Sequence, residues 1–146
     1  MIRESASVRI ERPAEQVWDY FTDVGNDPDW NPQAVSARKT SDGPLGVGSR
    51  FHVVRKMSGA MDLEYTEYSR PLRWTLRGVG RGMRFTYQAE LTPSAGGTEL
   101  TSRMQLEPNA ALKLFSPVLR SVTAKQLTQV HEALKRKMEA DAYSPG

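Results

Sequence analysis

The order in which hydropathy periods follow one another limits this chain to few folds. A two-residue alternation comes first: Ala6, Val8 and Ile10 face one way, with Ser7, Arg9 and Glu11 between them. That is a strand with one buried face. A helical period follows, carried by Val17, Phe21 and Val24 beside Trp18 and Tyr20. Pro13 stands ahead of it, where a first helical turn accepts proline because its missing N–H would be unpaired anyway. Gly25-Asn26-Asp27-Pro28 breaks the pattern, and Asp29-Trp30-Asn31-Pro32 makes a turn or a single turn of helix.

The chain then returns to alternation and stays there. Residues 34–39 form a weak strand, and a turn-rich loop over 41–48 leads to a strand over 50–57, with Phe51, Val53 and Arg55 on one face. Met61, Leu63 and Tyr65 alternate with Asp62, Glu64 and Thr66, and a short strand over 73–77 contains Trp74 and Leu76. Met83, Phe85, Tyr87, Ala89 and Leu91 alternate strictly, and Leu100, Ser102, Met104 and Leu106 repeat the pattern beyond a hairpin turn at 93–97. The glycine-rich segment 78–82 reads as another hairpin turn, because no helix follows it to complete a phosphate cradle. Consecutive strands on short turns imply an antiparallel meander.

The period changes once more at the end. Leu112, Phe115, Leu119, Val122, Gln126, Leu127, Val130, Leu134 and Met138 recur at three- and four-residue steps over about 110–140, an amphipathic helix with its apolar side inward. Pro117 marks a kink or the true start of that helix. The expected architecture is α+β: a curved seven-stranded antiparallel sheet wrapped around one long C-terminal helix, with two short helices after the first strand. The 146 residues fit one domain, with its core over about 4–140. A sheet curled around a helix leaves a hollow between them, and hollows suit apolar ligands.

Composition narrows the function. There are no cysteines, which removes thiolate chemistry, disulfides and cysteine-ligated metals. Two distant histidines without a carboxylate at ligand spacing argue against a metal site, and nothing in the sequence calls for a cofactor. The formal charge of +3 comes from 20 basic and 17 acidic residues, with no concentrated basic stripe, so nucleic acid is not an expected partner. The N-terminus lacks the apolar run of a signal peptide, and no stretch is apolar enough to span a membrane. A cytoplasmic protein, monomeric or homodimeric, is the expectation.

The segments Ile10-Glu11-Arg12-Pro13-Ala14-Glu15-Gln16-Val17-Trp18, Trp30-Asn31-Pro32 and Leu45-Gly46-Val47-Gly48-Ser49-Arg50-Phe51 carry a resemblance to a known family. So do the glycine-rich hairpin at 78–83 and the run at 96–101. The chain resembles the START-like, helix-grip superfamily, and within it the small bacterial polyketide cyclase/dehydrase-like (SRPBCC) proteins, over about residues 4–140. The resemblance implies a pocket between the sheet and the last helix. It leaves the chemistry open, because the superfamily includes aromatic cyclases, dehydratases, lipid carriers, hormone receptors and co-chaperone domains.

Trp30, Phe51, Tyr65, Trp74, Phe85 and Tyr87 are the candidate pocket aromatics, each open to the alternative of filling the core. Arg55 shares a strand face with Phe51 and Val53, where its guanidinium would hold a carboxylate or phenolate; the alternative is a strand-end residue pointing at water. Tyr65 and Tyr87 are candidate donors to a ligand carbonyl. Glu67 falls in phase with Tyr65 and completes a weak catalytic set of Arg55, Tyr65 and Glu67, unless it pairs with a surface base. His52 is out of phase and belongs outside, and His131 reads as a solvated helix-edge residue. Three functions stay open: a carrier or sensor of a small lipophilic ligand of lipid, polyketide or isoprenoid type, a polyketide cyclase/dehydratase, and a protein-interaction or co-chaperone-like module.

Overall fold

The computed structural model describes residues 1–141, and each expected strand is present. The order is β1 (Ile2–Ile10), α1 (Ala14–Phe21), a 3-10 turn (Val24–Asn26), α2 (Asp27–Trp30), β2 (Ala34–Lys39), β3 (Arg50–Arg55), β4 (Gly59–Ser69), β5 (Arg73–Gly80), β6 (Met83–Ser94), β7 (Gly97–Pro108), α3 (Ala110–Lys113) and α4 (Ser116–Asp141). The strands form one antiparallel sheet in the order β1-β7-β6-β5-β4-β3-β2. This is the helix-grip arrangement. β1 and β2 are sequence neighbours at opposite edges, so α1 and α2 must cross one end of the sheet to join them.

α1 forms behind Pro13, which stands at its N-cap, one place earlier than the first helical turn. It buries Ala14, Val17 and Trp18, the i, i+3, i+4 face of an amphipathic helix. Trp18 meets Trp74 edge-on with ring centroids 5.0 Å apart and Tyr68 at 4.9 Å. Phe21 continues the cluster against Trp74 at 5.1 Å and Trp30 at 5.6 Å. Edge-to-face pairs of this kind contribute about 0.5–1.5 kcal/mol each beyond burial, which fixes both short helices against β5.

Three local features depart from the sequence reading. β5 runs on to Gly80, because Gly78 and Gly80 are regular rungs opposite Phe85 and Met83, and only Arg81 and Gly82 turn. Glycine at 78 makes room for Phe85: a Cβ there would lie 2.1 Å from Phe85 Cε1, so the ring lies over bare backbone. The β6–β7 turn shrinks to Ala95 and Gly96, with φ of 48° and 81°, the left-handed pair of a two-residue hairpin. In β4 the register shifts between Tyr65 and Glu67, and the extra residue reverses which face each later side chain takes.

The closing helix is broken at Leu114 and Phe115, and α4 starts at Ser116, so Pro117 marks its beginning. Leu127, His131, Leu134 and Met138 form its buried stripe. Lys135 Nζ donates to the Arg9 carbonyl at 2.6 Å, and Glu139 accepts from the Glu11 N–H at 2.9 Å. The C-terminal half of α4 is thereby clamped onto β1.

Candidate functional site

Toward its N-terminal half α4 no longer fills the sheet's concave side, and a cavity of about 650 Å³ remains. That lies within the roughly 300–1,000 Å³ common for small-molecule sites. Trp74, Leu76, Phe85 and Met104 border it from the sheet, and Leu119 and Val122 from α4. Met57, Ser58 and Arg81, all exposed, form part of its rim.

Its polar groups are few. Arg55, the last residue of β3, donates from Nη2 to Asp27 Oδ2 at 3.0 Å. The Asp27 side chain is only 7% exposed, and burial pushes its carboxyl up to about 6, against the lowering pull of Arg55 and with a smaller upward push from Asp23. Trp30 follows Asp27 in the same short helix. Its Nε1 and the Arg55 Nε are buried donors without a partner among the described residues. Unmet buried donors cost about 1–3 kcal/mol each, a penalty the fold carries beside the Asp27–Arg55 pair.

A second polar group links three elements. Tyr87 Oη on β6 lies 2.5 Å from Ser102 Oγ on β7, which lies 2.6 Å from His131 Nε2 on α4. Burial raises the Tyr87 hydroxyl above the ordinary tyrosine range, partly offset by the hydrogen bond to Ser102. Burial lowers His131 to about 4, so its imidazole is neutral at physiological pH.

The sequence candidates are therefore divided. Trp30, Arg55, Trp74, Phe85 and Tyr87 border the cavity. Phe51 and Tyr65 do not: they pack edge-on at 5.9 Å in the core, and the Tyr65 hydroxyl donates to the Thr22 carbonyl at 2.6 Å, tying β4 to the end of α1. Glu67 lies on the opposite face, where Arg73 Nε and Thr75 Oγ1 donate to it at 3.1 and 3.0 Å. The β4 bulge put it there, so Arg55, Tyr65 and Glu67 do not converge. His52 does lie outside, 3.0 Å from Asp62.

His131 corrects the expectation of a solvated edge, being 2% exposed. The signal was available, since 127, 131, 134 and 138 share helical spacing, but a polar residue in an apolar stripe is easily discounted. Asp27 and Ser102 were also missed. Ser102 sits in phase between Leu100 and Met104, whereas Asp27 has no mark beyond preceding a proline. Among the described residues no cluster of three or more His, Asp or Glu could hold a metal ion, and no helix is long and apolar enough to cross a membrane.

A family model described as polyketide cyclase/dehydrase and lipid transport matches residues 1–139. The chain belongs to this family. Comparison with curated protein sequences gave no match. Solved structures share the fold at low identity. A START superfamily protein from Mycobacterium smegmatis superposes with a TM-score of 0.83 at 15% identity, covering 94% of this chain and 97% of that one. The Zhui aromatase/cyclase from Streptomyces sp. R1128 gives 0.85 at 13%, covering 99% and 97%. A Thalictrum norcoclaurine synthase point mutant, solved with a transition-state analogue, gives 0.72 at 13%, covering 96% and 95%.

Proposed function

We propose that this protein binds a small lipophilic molecule of lipid, polyketide or isoprenoid type as a cytoplasmic carrier or sensor, with an oxygen-bearing end of the ligand near Arg55. The observation that carries this reading is the cavity of about 650 Å³ whose largely apolar wall is interrupted by the Asp27–Arg55 pair. Burying about 400 Å² of apolar ligand surface is worth roughly 10 kcal/mol gross at ~25 cal/mol/Å². Association costs of about 4–5 kcal/mol leave roughly 5–6 kcal/mol, an affinity of tens to hundreds of micromolar. Native mass spectrometry of the purified protein, with extraction and identification of bound molecules, tests it. A co-purifying lipophile supports the reading. A ligand-free spectrum that stays so after challenge with a lipophile panel overturns it.

A polyketide cyclase/dehydratase acting in the same cavity is the second reading. Asp27 favours it: a carboxyl raised to about 6 beside a guanidinium on the cavity wall is suited to moving a proton near neutral pH. The likeness in fold to the Zhui aromatase/cyclase points the same way. Turnover of a poly-β-ketone substrate that is lost in Asp27→Asn while binding survives would establish this reading; binding without turnover in the wild type would remove it.

A further inference from the structure

Counting protons in the Tyr87–Ser102–His131 group assigns its direction. The Tyr87 and Ser102 hydroxyls carry one proton each, and His131, held neutral by burial, carries one on its ring. Two close contacts, Tyr87 Oη to Ser102 Oγ and Ser102 Oγ to His131 Nε2, use two of the three. One donor is left over, on His131, on Tyr87 or, if both ends donate inward, on Ser102; the last case seals a fully buried hydroxyl that makes no other hydrogen bond among the described residues, which leaves the two ends.

If Tyr87 donates toward His131, the surplus proton is on His131 Nδ1. That atom is buried with no partner among the described residues. If the chain runs the other way, Nδ1 is a bare acceptor and the surplus proton is on Tyr87, a residue that borders the cavity. Nδ1 is without a partner in either direction, as a sealed N–H or as a bare lone pair, so the choice falls to the neutral imidazole side chain's own preference for carrying its proton on Nε2. We infer that His131 donates to Ser102 and Ser102 to Tyr87, leaving the Tyr87 O–H as a hydrogen-bond donor to a carbonyl-type oxygen of the cavity's ligand. This rests on the lipophile-binding reading and adds the chemical class of the ligand to it.

Two consequences follow from the same geometry. Hydrogen bonds in series polarise one another, so the terminal Tyr87 O–H is a stronger donor than an isolated phenol. Asp27 and Arg55 both act electrostatically on the Tyr87 hydroxyl, which puts it in the same region of the protein as the partly exposed Arg55 guanidinium on the cavity wall. The one carboxylate there is already engaged by Arg55. The polar part of the cavity therefore offers donors. It fits an apolar ketone, ester or enolate, and it disfavours an amine. Ser102 and His131 are positioning residues in this scheme, and Tyr87 is the group that touches the ligand.

Nitrogen-15 NMR of the intact protein at neutral pH reads the His131 tautomer directly. The Nε2–H form is expected, and the Nδ1–H form overturns the inference. Ligand class is read with 2-acetylnaphthalene and the near-isosteric 2-ethylnaphthalene. The ketone should bind about tenfold tighter, the ratio one neutral hydrogen bond supplies, with its bound carbonyl stretch moved to lower wavenumber. Tyr87→Phe should abolish the preference and the shift. His131→Gln, whose amide still donates to Ser102, should retain both, and His131→Leu should weaken both. Equal binding of the two compounds by the wild type, or a preference that survives Tyr87→Phe, overturns the donor site alone. If neither compound binds, the lipophile-binding reading fails and the donor site with it. Should a variant fail to fold, the wild-type tautomer and carbonyl stretch decide by themselves.

Discussion

Replacing Asp27 by asparagine should stabilise the protein, and the gain should depend on pH. The Asp27 carboxyl is raised from 3.8 to about 6, chiefly by desolvation that Arg55 only partly offsets. At 1.36 kcal/mol per pKa unit that shift is worth roughly 3 kcal/mol. The folded state holds the proton more tightly than the unfolded state, so the penalty is absent below about pH 4, where the carboxyl is neutral in both. It grows as the pH rises between the two values and is complete above the folded one. Asparagine cannot ionise and escapes it. Urea unfolding of both proteins from about pH 4 to pH 7.5 should show the variant's advantage widening by up to roughly 3 kcal/mol across that window. His131 is present in both proteins and cancels in the difference. A difference that stays flat with pH, or a variant that loses ground as the pH rises, would refute the reasoning: attraction to Arg55 would then outweigh desolvation.

The remaining predictions concern the core and the cavity wall. His131 is lowered from 6.5 to about 4 by burial, so its contribution is complete above the unfolded value and is lost as the pH falls toward the folded one. That loss of roughly 3 kcal/mol should appear in the denaturant midpoints of an Asp27→Asn background and vanish when His131→Gln is added. Gly78→Ala should cost about 1–3 kcal/mol, because its Cβ would collide with the Phe85 ring at 2.1 Å; unchanged stability would mean that the ring moves away freely. Tyr65→Phe leaves the buried Thr22 carbonyl without its donor and should cost about 1–3 kcal/mol without altering ligand affinity, since Tyr65 does not border the cavity. Arg55→Met should weaken binding of decanoate more than of decanol, as isothermal titration would read.

Alternation made the sheet legible because an antiparallel sheet with one packed face writes its pattern on every second residue. In β6, Tyr87, Ala89 and Leu91 are buried on that phase. The same regularity misled at Glu67. A bulge adds one residue without a compositional mark, and Thr66 looks like any other strand residue, so phase counted from Tyr65 ran onto the wrong face. The cavity wall was largely legible for the same reason the strands were, since Trp74, Phe85 and Tyr87 share the inner face. Its polar side was not. Asp27 meets Arg55 only after a helix from one end of the chain settles beside the end of β3, and local pattern carries no information about that encounter. The Tyr87–Ser102–His131 contact needs two strands and a helix in register, and it too is written in no local window.

The sheet order also fixes when in the life of a polypeptide this protein becomes competent. β1 pairs with β7, placing Ile2 opposite Leu106 and Ile10 opposite Thr98, and α4 then clamps the end of β1 through Lys135 and Glu139. The first strand made is thus among the last to find its partner. A nascent chain has a growing meander but an unpaired leading strand until β7 emerges, and the wall that α4 supplies comes later still. Long-range pairing of this kind slows folding, because loop closure precedes the contacts that reward it. Until β7 emerges β1 is unpaired on both sides, with alternating apolar residues that can template pairing with other chains; β7 then covers one side, and the other stays an edge of the finished sheet.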